Sequence, residues 1–232
     1  MKHLAAGLLG GPRFFTSKYC VSNKKFSTKC QDCDRLATFL SEQKKKYPTY
    51  FCKPVPAFGE RNAALTIVGL APGLHGANAS GRPFTGDYAG VLLYETLYKF
   101  GFSTHPESTS ADDDLKLKNA RITNAVKCVP PQNKPTPAEI RTCNQYLQTE
   151  LQQVKSNQVV LALGRIAHEA VLRGLNLRLK EYPFGHAAVH EIPDQFTMID
   201  SYHCSRYNTQ TRRLTVEQFE AVFAKIRQLL DE

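Results

Sequence analysis

Short apolar runs and longer amphipathic stretches alternate along the chain. Continuous runs rich in β-branched residues are typical of strands buried on both faces of a sheet, whereas apolar residues spaced three and four apart indicate helices. The predicted strands cover residues 64–69, 120–126, 159–163 and 196–201. The predicted helices cover residues 30–46, 90–100, 136–153, 166–172 and 215–230, and Thr136 is the predicted N-cap of the third.

This order of elements predicts an α/β fold with a parallel sheet covered on both faces. A chain of 232 residues is long enough for one such domain, which we place at residues 29–232. In parallel sheets, ligands bind at loops that follow the carboxyl ends of the strands. Here these loops begin at Gly69, Lys127, Gly164 and Tyr202, so we expect the functional residues there.

Residues 69–87 form the most informative of these loops. The segment follows a buried strand and is rich in glycine and proline. Glycines allow backbone N–H groups to approach a ligand closely, and long loops inside compact domains are usually functional; the alternative is a purely structural loop. The spacing matches neither the dinucleotide-binding nor the Walker A motif. Its polar side chains are His75, Asn78, Ser80, Arg82, Thr85 and Asp87.

A second candidate loop, residues 201–213, follows the last predicted strand. His203 stands near the carboxyl end of that strand, and hydroxyl, amide and three arginine side chains come after it. This combination suits an anionic substrate, and the alternative is a solvated basic loop.

Four cysteines form two pairs in distant parts of the chain. Cys30 and Cys33 are separated by two residues, and Cys128 and Cys143 by fourteen. Four such thiols can hold one structural zinc ion or one iron–sulfur cluster, and buried free thiols are the alternative. Disulfides are less expected, because the chain has seven cysteines and no secretory signal.

Positive charge is concentrated at the N-terminus. The net charge is +9, but residues 1–31 carry six basic and no acidic side chains, which leaves 24 basic against 21 acidic, or +3. A nucleic-acid site must therefore be a local patch. We expect residues 1–28 to form an N-terminal arm, or alternatively a targeting segment. No run reaches the roughly 18 apolar residues of a membrane span, so we expect none.

Taken together, the motifs resemble the uracil-DNA glycosylase superfamily, specifically its iron–sulfur branch, known as type b or family 5. The resemblance covers about residues 28–225, with the motifs in the same order, and the first motif is long and specific. The matching segments are residues 69–87 (GLAPGLHGANASGRPFTGD), 88–90 (YAG), 122–131 (ITNAVKCVPP), 162–167 (ALGRIA) and 201–215 (SYHCSRYNTQTRRLT).

The resemblance implies a three-layer α/β/α sandwich with a central four-stranded parallel sheet. It implies a DNA-repair enzyme that hydrolyses the N-glycosidic bond of uracil, and of other deaminated bases such as hypoxanthine or xanthine, to leave an abasic site in DNA. It also implies a 4Fe–4S cluster and so favours iron–sulfur over zinc. We expect a monomer in the cytoplasm, associated with the nucleoid, and organellar targeting is the alternative. The implied cluster ligands are Cys30, Cys33, Cys128 and Cys143.

Catalytic roles also follow from the resemblance. Enzymes that act on a base in duplex DNA extrude the nucleotide into a pocket. Phe84 matches the residue that stacks on the flipped base, and Asn124 matches the side chain that reads its polar edge. His203 matches the donor that stabilises negative charge on the leaving uracil.

Asp87 is the predicted group that orients the attacking water, with His75 and Asn78 as alternatives. These two alternatives are also predicted substrate-binding residues. The other predicted substrate-binding residues are Ala71 and Gly73 in the pocket wall, and Arg206 and Asn208 in the loop that grips the DNA.

Three positions depart from the wider superfamily pattern. Ala71 stands where several branches carry a polar catalytic side chain, which is typical of family 5 and of broad base specificity. Cys204 replaces the proline of the usual His-Pro-Ser motif, and Ala79 stands where arginine is common. Two alternatives stay open: a lesion-sensing DNA-binding protein with little turnover, and an unrelated α/β hydrolase of small nucleotides. No Gly-x-Ser-x-Gly motif supports the hydrolase.

Overall fold

The computed structural model describes residues 24–231, so most of the predicted N-terminal arm or targeting segment lies outside the described residues. The strands are β1 (Phe58–Gly59), β2 (Leu65–Gly69), β3 (Ala120–Asn124), β4 (Val159–Leu163), β5 (Val189–Glu191) and β6 (Thr197–Ser201). The helices are α1 (Asp34–Lys46), α2 (Ala77–Ser80), α3 (Tyr88–Lys99), α4 (Pro137–Leu151), α5 (Arg165–Gly174), α6 (Arg206–Gln210) and α7 (Val216–Asp231). Short 3-10 helices cover Pro131–Asn133 and Leu179–Glu181.

The six strands form one mixed sheet in the order β1-β3-β2-β4-β6-β5. Its four central strands run parallel, which confirms the predicted sheet. The two edge strands, β1 and β5, pair antiparallel with β3 and β6 and were not predicted.

Helices cover both faces of the sheet, which gives the predicted three-layer sandwich. Successive side chains of a strand point to opposite faces, and β2 illustrates this. Ile67 belongs to the core shared with α3 and α7, whereas Val68 belongs to the core shared with α1, α4 and α5. Of the helices within residues 24–231, none is long and apolar enough to cross a membrane.

The N-terminus of α4 connects the two cysteine-bearing segments of the chain. Thr136 is its N-cap, as predicted, and accepts a hydrogen bond from the backbone N–H of Glu139 while the Glu139 carboxylate accepts one from the N–H of Thr136. Arg35 of α1 donates to the same carboxylate, with both contacts at 2.7 Å. Helix α1 begins at Asp34, four residues later than predicted, so Cys30 and Cys33 precede it.

Candidate active site

A cleft opens at the carboxyl ends of β2, β3 and β6, where the predicted loops meet. Its volume is about 400 Å³, within the range of roughly 300–1,000 Å³ that is usual for small-ligand sites. The predicted site residues that line it are Ala71, Gly73, Phe84, Asp87, Asn124, His203 and Arg206.

Asn124, the last residue of β3, places an amide at the floor of the cleft. The residue is only 3% exposed, and within the described part of the chain its Oδ1 atom has no hydrogen-bond partner. Gly69 lies opposite it on β2, where a Cβ atom would overlap Oδ1 and would stand 2.8 Å from the Phe84 ring. Gly69 therefore lets the amide and the ring come together. An unpaired buried acceptor is costly, and it is the arrangement expected where a ligand supplies the donor.

Phe84 forms an apolar wall of the cleft and adopts an unusual backbone conformation. Its φ angle is 56°, in the left-handed region that non-glycine residues rarely occupy. Two features of α3 maintain this conformation. The Tyr94 hydroxyl donates to the carbonyl of Pro83 at 2.9 Å, and Gly90, which has no side chain, leaves room for the Phe84 carbonyl. The ring is 6% exposed and lies nearly parallel to that of His203, with centroids 5.9 Å apart.

Two polar residues of the 69–87 loop brace it from behind. The Arg82 guanidinium is buried and forms an ion pair with Asp113 at 2.6 Å. The hydroxyls of Thr85 and Ser108 are 2.6 Å apart. Because Ser108 and Asp113 belong to the segment between α3 and β3, that segment fixes the position of the loop.

Asp87 combines a structural and a chemical role at the cleft. It is the N-cap of α3, and its Oδ1 accepts a hydrogen bond from the N–H of Gly90 at 2.9 Å. Its Oδ2 faces the opposite side of the loop, where a Cβ atom at Gly76 or Gly73 would lie 2.5 Å or 3.3 Å away. Burial raises the pKa of Asp87, and hydrogen bonds from the N–H groups of Gly90 and Ala89 partly oppose this increase.

His203 lies two residues beyond β6 in a loop that is held at several points. Asn208 donates from Nδ2 to the carbonyl of His203 at 2.8 Å. Cys204 is fully buried and donates from Sγ to the carbonyl of Ala89 at 3.4 Å. Ser205 caps α6. These contacts fix the histidine although the usual proline is absent, and Asn208 contacts the histidine's backbone instead of lining this cleft.

The imidazole of His203 is available to a ligand in its neutral form. Its ring nitrogens have no hydrogen-bond partner among residues 24–231. Burial lowers the pKa of His203 to about 4. At neutral pH the ring therefore offers one N–H donor and carries no charge.

Besides Asn208, two of the predicted substrate-binding residues lie away from the cleft. His75 is exposed, 3.0 Å from the Tyr50 hydroxyl and in edge contact with the ring of Tyr47. Asn78 is fully buried, and its Nδ2 contacts the Cys52 sulfur and a loop carbonyl. Neither side chain therefore lines the cleft.

Six residues that were not predicted also line the cleft, and three of them have polar side chains: Tyr88, Asn133 and Ser205. Tyr88 follows Asp87 directly, and the Arg206 guanidinium lies over its ring at 4.9 Å. Its position next to a predicted site residue could have identified it. Asn133 lies in an irregular segment with a φ of 56°, and no sequence pattern marks it.

The four predicted cysteine ligands meet at one small cavity between α1 and α4. All four are free thiols. Two hydrogen bonds reach their sulfurs: the N–H of Lys127 donates to Cys143 and the Tyr146 hydroxyl donates to Cys30, both at 3.2 Å. The thiols that line the cavity are Cys30, Cys33, Cys128 and Cys143.

Comparisons with known proteins agree with one another. The family model described as "Uracil DNA glycosylase superfamily" matches residues 56–227. A type-5 uracil-DNA glycosylase of Thermus thermophilus is 44% identical over 207 residues, covering 87% of this chain and 94% of the relative. A type-5 enzyme of Pyrobaculum aerophilum is 39% identical, covering 84% and 87%. A type-4 uracil-DNA glycosylase of Archaeoglobus fulgidus is 31% identical, covering 86% and 87%.

Proposed function

The chain belongs to the uracil-DNA glycosylase superfamily, and from this premise we propose which of its residues excise the base and which bases they accept. Excision of uracil from DNA is the activity that the family and its type-5 members establish. The assignment of these residues and bases rests mainly on one observation, the unpartnered Oδ1 atom of Asn124 beside the Phe84 ring. A flipped base stacks on that ring and donates to that oxygen.

Asn124 explains why several deaminated bases fit one cleft. Uracil, hypoxanthine and xanthine each present a ring N–H beside a carbonyl, whereas cytosine and adenine lack a hydrogen at the corresponding nitrogen. One buried acceptor therefore favours uracil over cytosine and hypoxanthine over adenine, because cytosine and adenine would leave the acceptor unpaired. The small side chain of Ala71 in the cleft wall leaves space for the larger purines.

His203 and Asp87 act on opposite charges as the N-glycosidic bond breaks. The leaving base becomes anionic, and the neutral imidazole of His203 donates a hydrogen bond to its O2 oxygen. The sugar becomes cationic, and the carboxylate of Asp87 orients the attacking water and stabilises this charge. The raised pKa of Asp87 makes the carboxylate a stronger base for the water proton.

Release of free bases from defined oligonucleotides tests these roles. Duplexes with one uracil, hypoxanthine or xanthine are incubated with the iron-loaded protein, and the released base is quantified by chromatography. Asn124→Ala is expected to lower release of all three bases by about 100-fold, the usual loss for one transition-state hydrogen bond. Asn144→Ala is the matched control, because that amide binds a carbonyl of α5 instead.

Asp87→Asn tests the water-orienting role, with the exposed Asp114→Asn as its control. Release of uracil alone would contradict the broad specificity. Tight binding of the uracil duplex with no release would support the lesion-sensing alternative, and hydrolysis of free deoxyuridine but not of DNA would support the small-nucleotide hydrolase.

We also propose that the four cysteines hold a 4Fe–4S cluster. Burial and, secondarily, the neighbouring thiols raise the pKa of Cys33 to about 11, and burial raises the pKa of Cys128 and Cys143. A metal centre would bind these three thiols as thiolates, because the thiolate is the ligand form. Hydrogen bonds to two of the sulfurs suit an iron–sulfur site, whose properties depend on such bonds.

The similarity to type-5 and type-4 uracil-DNA glycosylases favours a cluster over one zinc ion, because the sequence resembles the iron–sulfur branch of the superfamily.

Iron and sulfide analysis tests the cluster. About four iron atoms and four sulfides per chain are expected, with broad absorbance near ~400 nm. Cys143→Ser is expected to lower the iron content, and Cys52→Ser, a buried thiol elsewhere, is the control. A colourless protein with one zinc per chain would contradict the proposal.

A further inference from the structure

A second groove lies directly beside the cleft and shares Leu70 and His203 with it. It is about 370 Å³ in volume and open to solvent. Its floor is the turn from β4 into α5, and its wall comes from residues between α5 and β5. None of the roles described for the cleft uses this groove.

Aromatic rings and arginines alternate along the groove. The ring of Phe184 lies 6.1 Å from that of Tyr202. The Arg165 guanidinium lies over Phe184 at 5.3 Å, and the Arg213 guanidinium lies over Tyr202 at 4.6 Å. The two arginines are exposed and the two rings are half-buried. No acidic side chain is among the described residues that line the groove.

This composition matches the chemistry of single-stranded nucleic-acid sites. Such sites combine a positively charged groove, which follows the phosphates, with aromatic side chains on which successive bases stack. Arginine planes also stack on bases and bind phosphates with paired N–H groups. An apolar surface would gain little from two arginines that have no acidic partner.

We propose that this groove binds the base and phosphate of the nucleotide next to the excised one on the same strand. The inference rests on the proposed function. The occupant is inferred from continuity, because the groove shares Leu70 and His203 with the cleft that holds the flipped nucleotide. The base stacks on Phe184 and Tyr202, and Arg165 and Arg213 bind the phosphate.

Equilibrium binding to an uncleavable oligonucleotide tests the groove independently of turnover. The iron-loaded protein is titrated with a single strand that carries a tetrahydrofuran abasic analogue at the lesion position. In matched strands the neighbour on the 5′ or the 3′ side also lacks its base. Phe184→Leu keeps an apolar side chain but removes the stacking face, and Tyr98→Leu, at the distal end of α3, is the control for an exposed ring.

We expect Phe184→Leu to weaken binding of the intact strand about tenfold. Removal of one neighbouring base should weaken wild-type binding by the same factor. Phe184→Leu should bind the strand that lacks this base as tightly as it binds the intact strand, because both changes remove the same stacking contact. Tyr98→Leu should bind both strands as wild type does. Equal binding of all strands by the wild type, or a full additional loss in the variant, would overturn the proposal.

Arg165→Gln provides a second test that does not depend on Phe184. It should reduce the salt dependence of binding by about one counterion, whereas Arg173→Gln, whose arginine pairs with Glu169 farther along α5, should not. An unchanged slope for Arg165→Gln would overturn the phosphate contact. The same comparison can be made in duplexes that lack the base opposite the lesion. If removal of that base weakened binding by the wild type but not by Phe184→Leu, the same-strand assignment would be overturned. Uracil release by the wild type is measured separately, so failure of the proposed function is distinguishable from failure of the groove.

Discussion

Lowering the pH from 7.5 to 5.5 should leave the contribution of His203 to uracil release unchanged. Burial lowers the pKa of His203 to about 4, against roughly 6.5 for an exposed histidine. At pH 5.5 about 3% of the rings would then carry a second proton, whereas about 90% of ordinary imidazoles would. The neutral donor therefore persists across the whole interval.

The assay compares single-turnover uracil release by the wild type and by His203→Gln at each pH. The ratio of the two rates gives the contribution of His203 alone, because every other titrating group affects the rates of both proteins. Asp87 is the main such group: burial raises its pKa, so both rates should fall as acid protonates the carboxylate. We expect a ratio of about 100, the usual value of one such donor, constant within twofold from pH 7.5 to 5.5.

A ratio that falls about tenfold by pH 5.5 would refute the reasoning, because it would mean that His203 gains its proton at an ordinary pKa. Urea unfolding gives an independent check. A histidine whose pKa is lower in the folded state binds more protons when unfolded, so its folded form loses stability as the pH falls from 6.5 towards 4. Between pH 7.5 and 5.5 the wild type should lose about 1 kcal/mol more than His203→Gln.

Three further predictions concern other parts of the structure. Asn124→Ala, besides slowing uracil release, should raise the free energy of unfolding by about 1 kcal/mol, because it removes a buried acceptor without a partner. Urea unfolding measures this free energy, and a large destabilisation would contradict the prediction. Gly90→Ala should lower the melting temperature, because the added Cβ atom would overlap the Phe84 carbonyl. The same change at other helix positions usually stabilises a protein by up to about 1 kcal/mol. Calorimetry measures the melting temperature, and a higher value would contradict the clash. Lys127→Met should lower the free energy of unfolding by about 3 kcal/mol, because it leaves Glu150 without its cation. The double variant Lys127→Met/Glu150→Gln should regain most of this loss. A double variant as unstable as the single one would contradict the prediction.

The four central strands could be predicted because each is a continuous apolar run that the sheet buries on both faces. The edge strands could not. β1 and β5 contain two and three residues, too few for any alternation, and they exist through pairing with β3 and β6. Their formation depends on contacts between distant segments, which a local pattern does not contain.

The site shows the same division. Asp87, Asn124 and His203 come from three loops, and the rule that parallel strands present their carboxyl ends at one edge places them together. His75 does not line the cleft but contacts Tyr50, 25 residues earlier, and nothing near either residue in the sequence indicates that contact. In the groove, Arg165, Tyr202 and Arg213 lie in two of the matching segments but Phe184 lies in neither, so no local pattern indicates that the four side chains form one groove.

The glycines around the cleft limit how this protein could be altered by mutation. Gly69, Gly76 and Gly90 each stand against a group that shapes the cleft, and a Cβ atom at any of them would collide with it. A library that randomises these codons would therefore yield mostly inactive variants, whatever base is selected for. Ala71 and Asn133 line the same cleft and already carry a Cβ atom, so directed evolution towards a new base should begin there. At Asn133, whose φ is 56°, β-branched residues should be left out of the library.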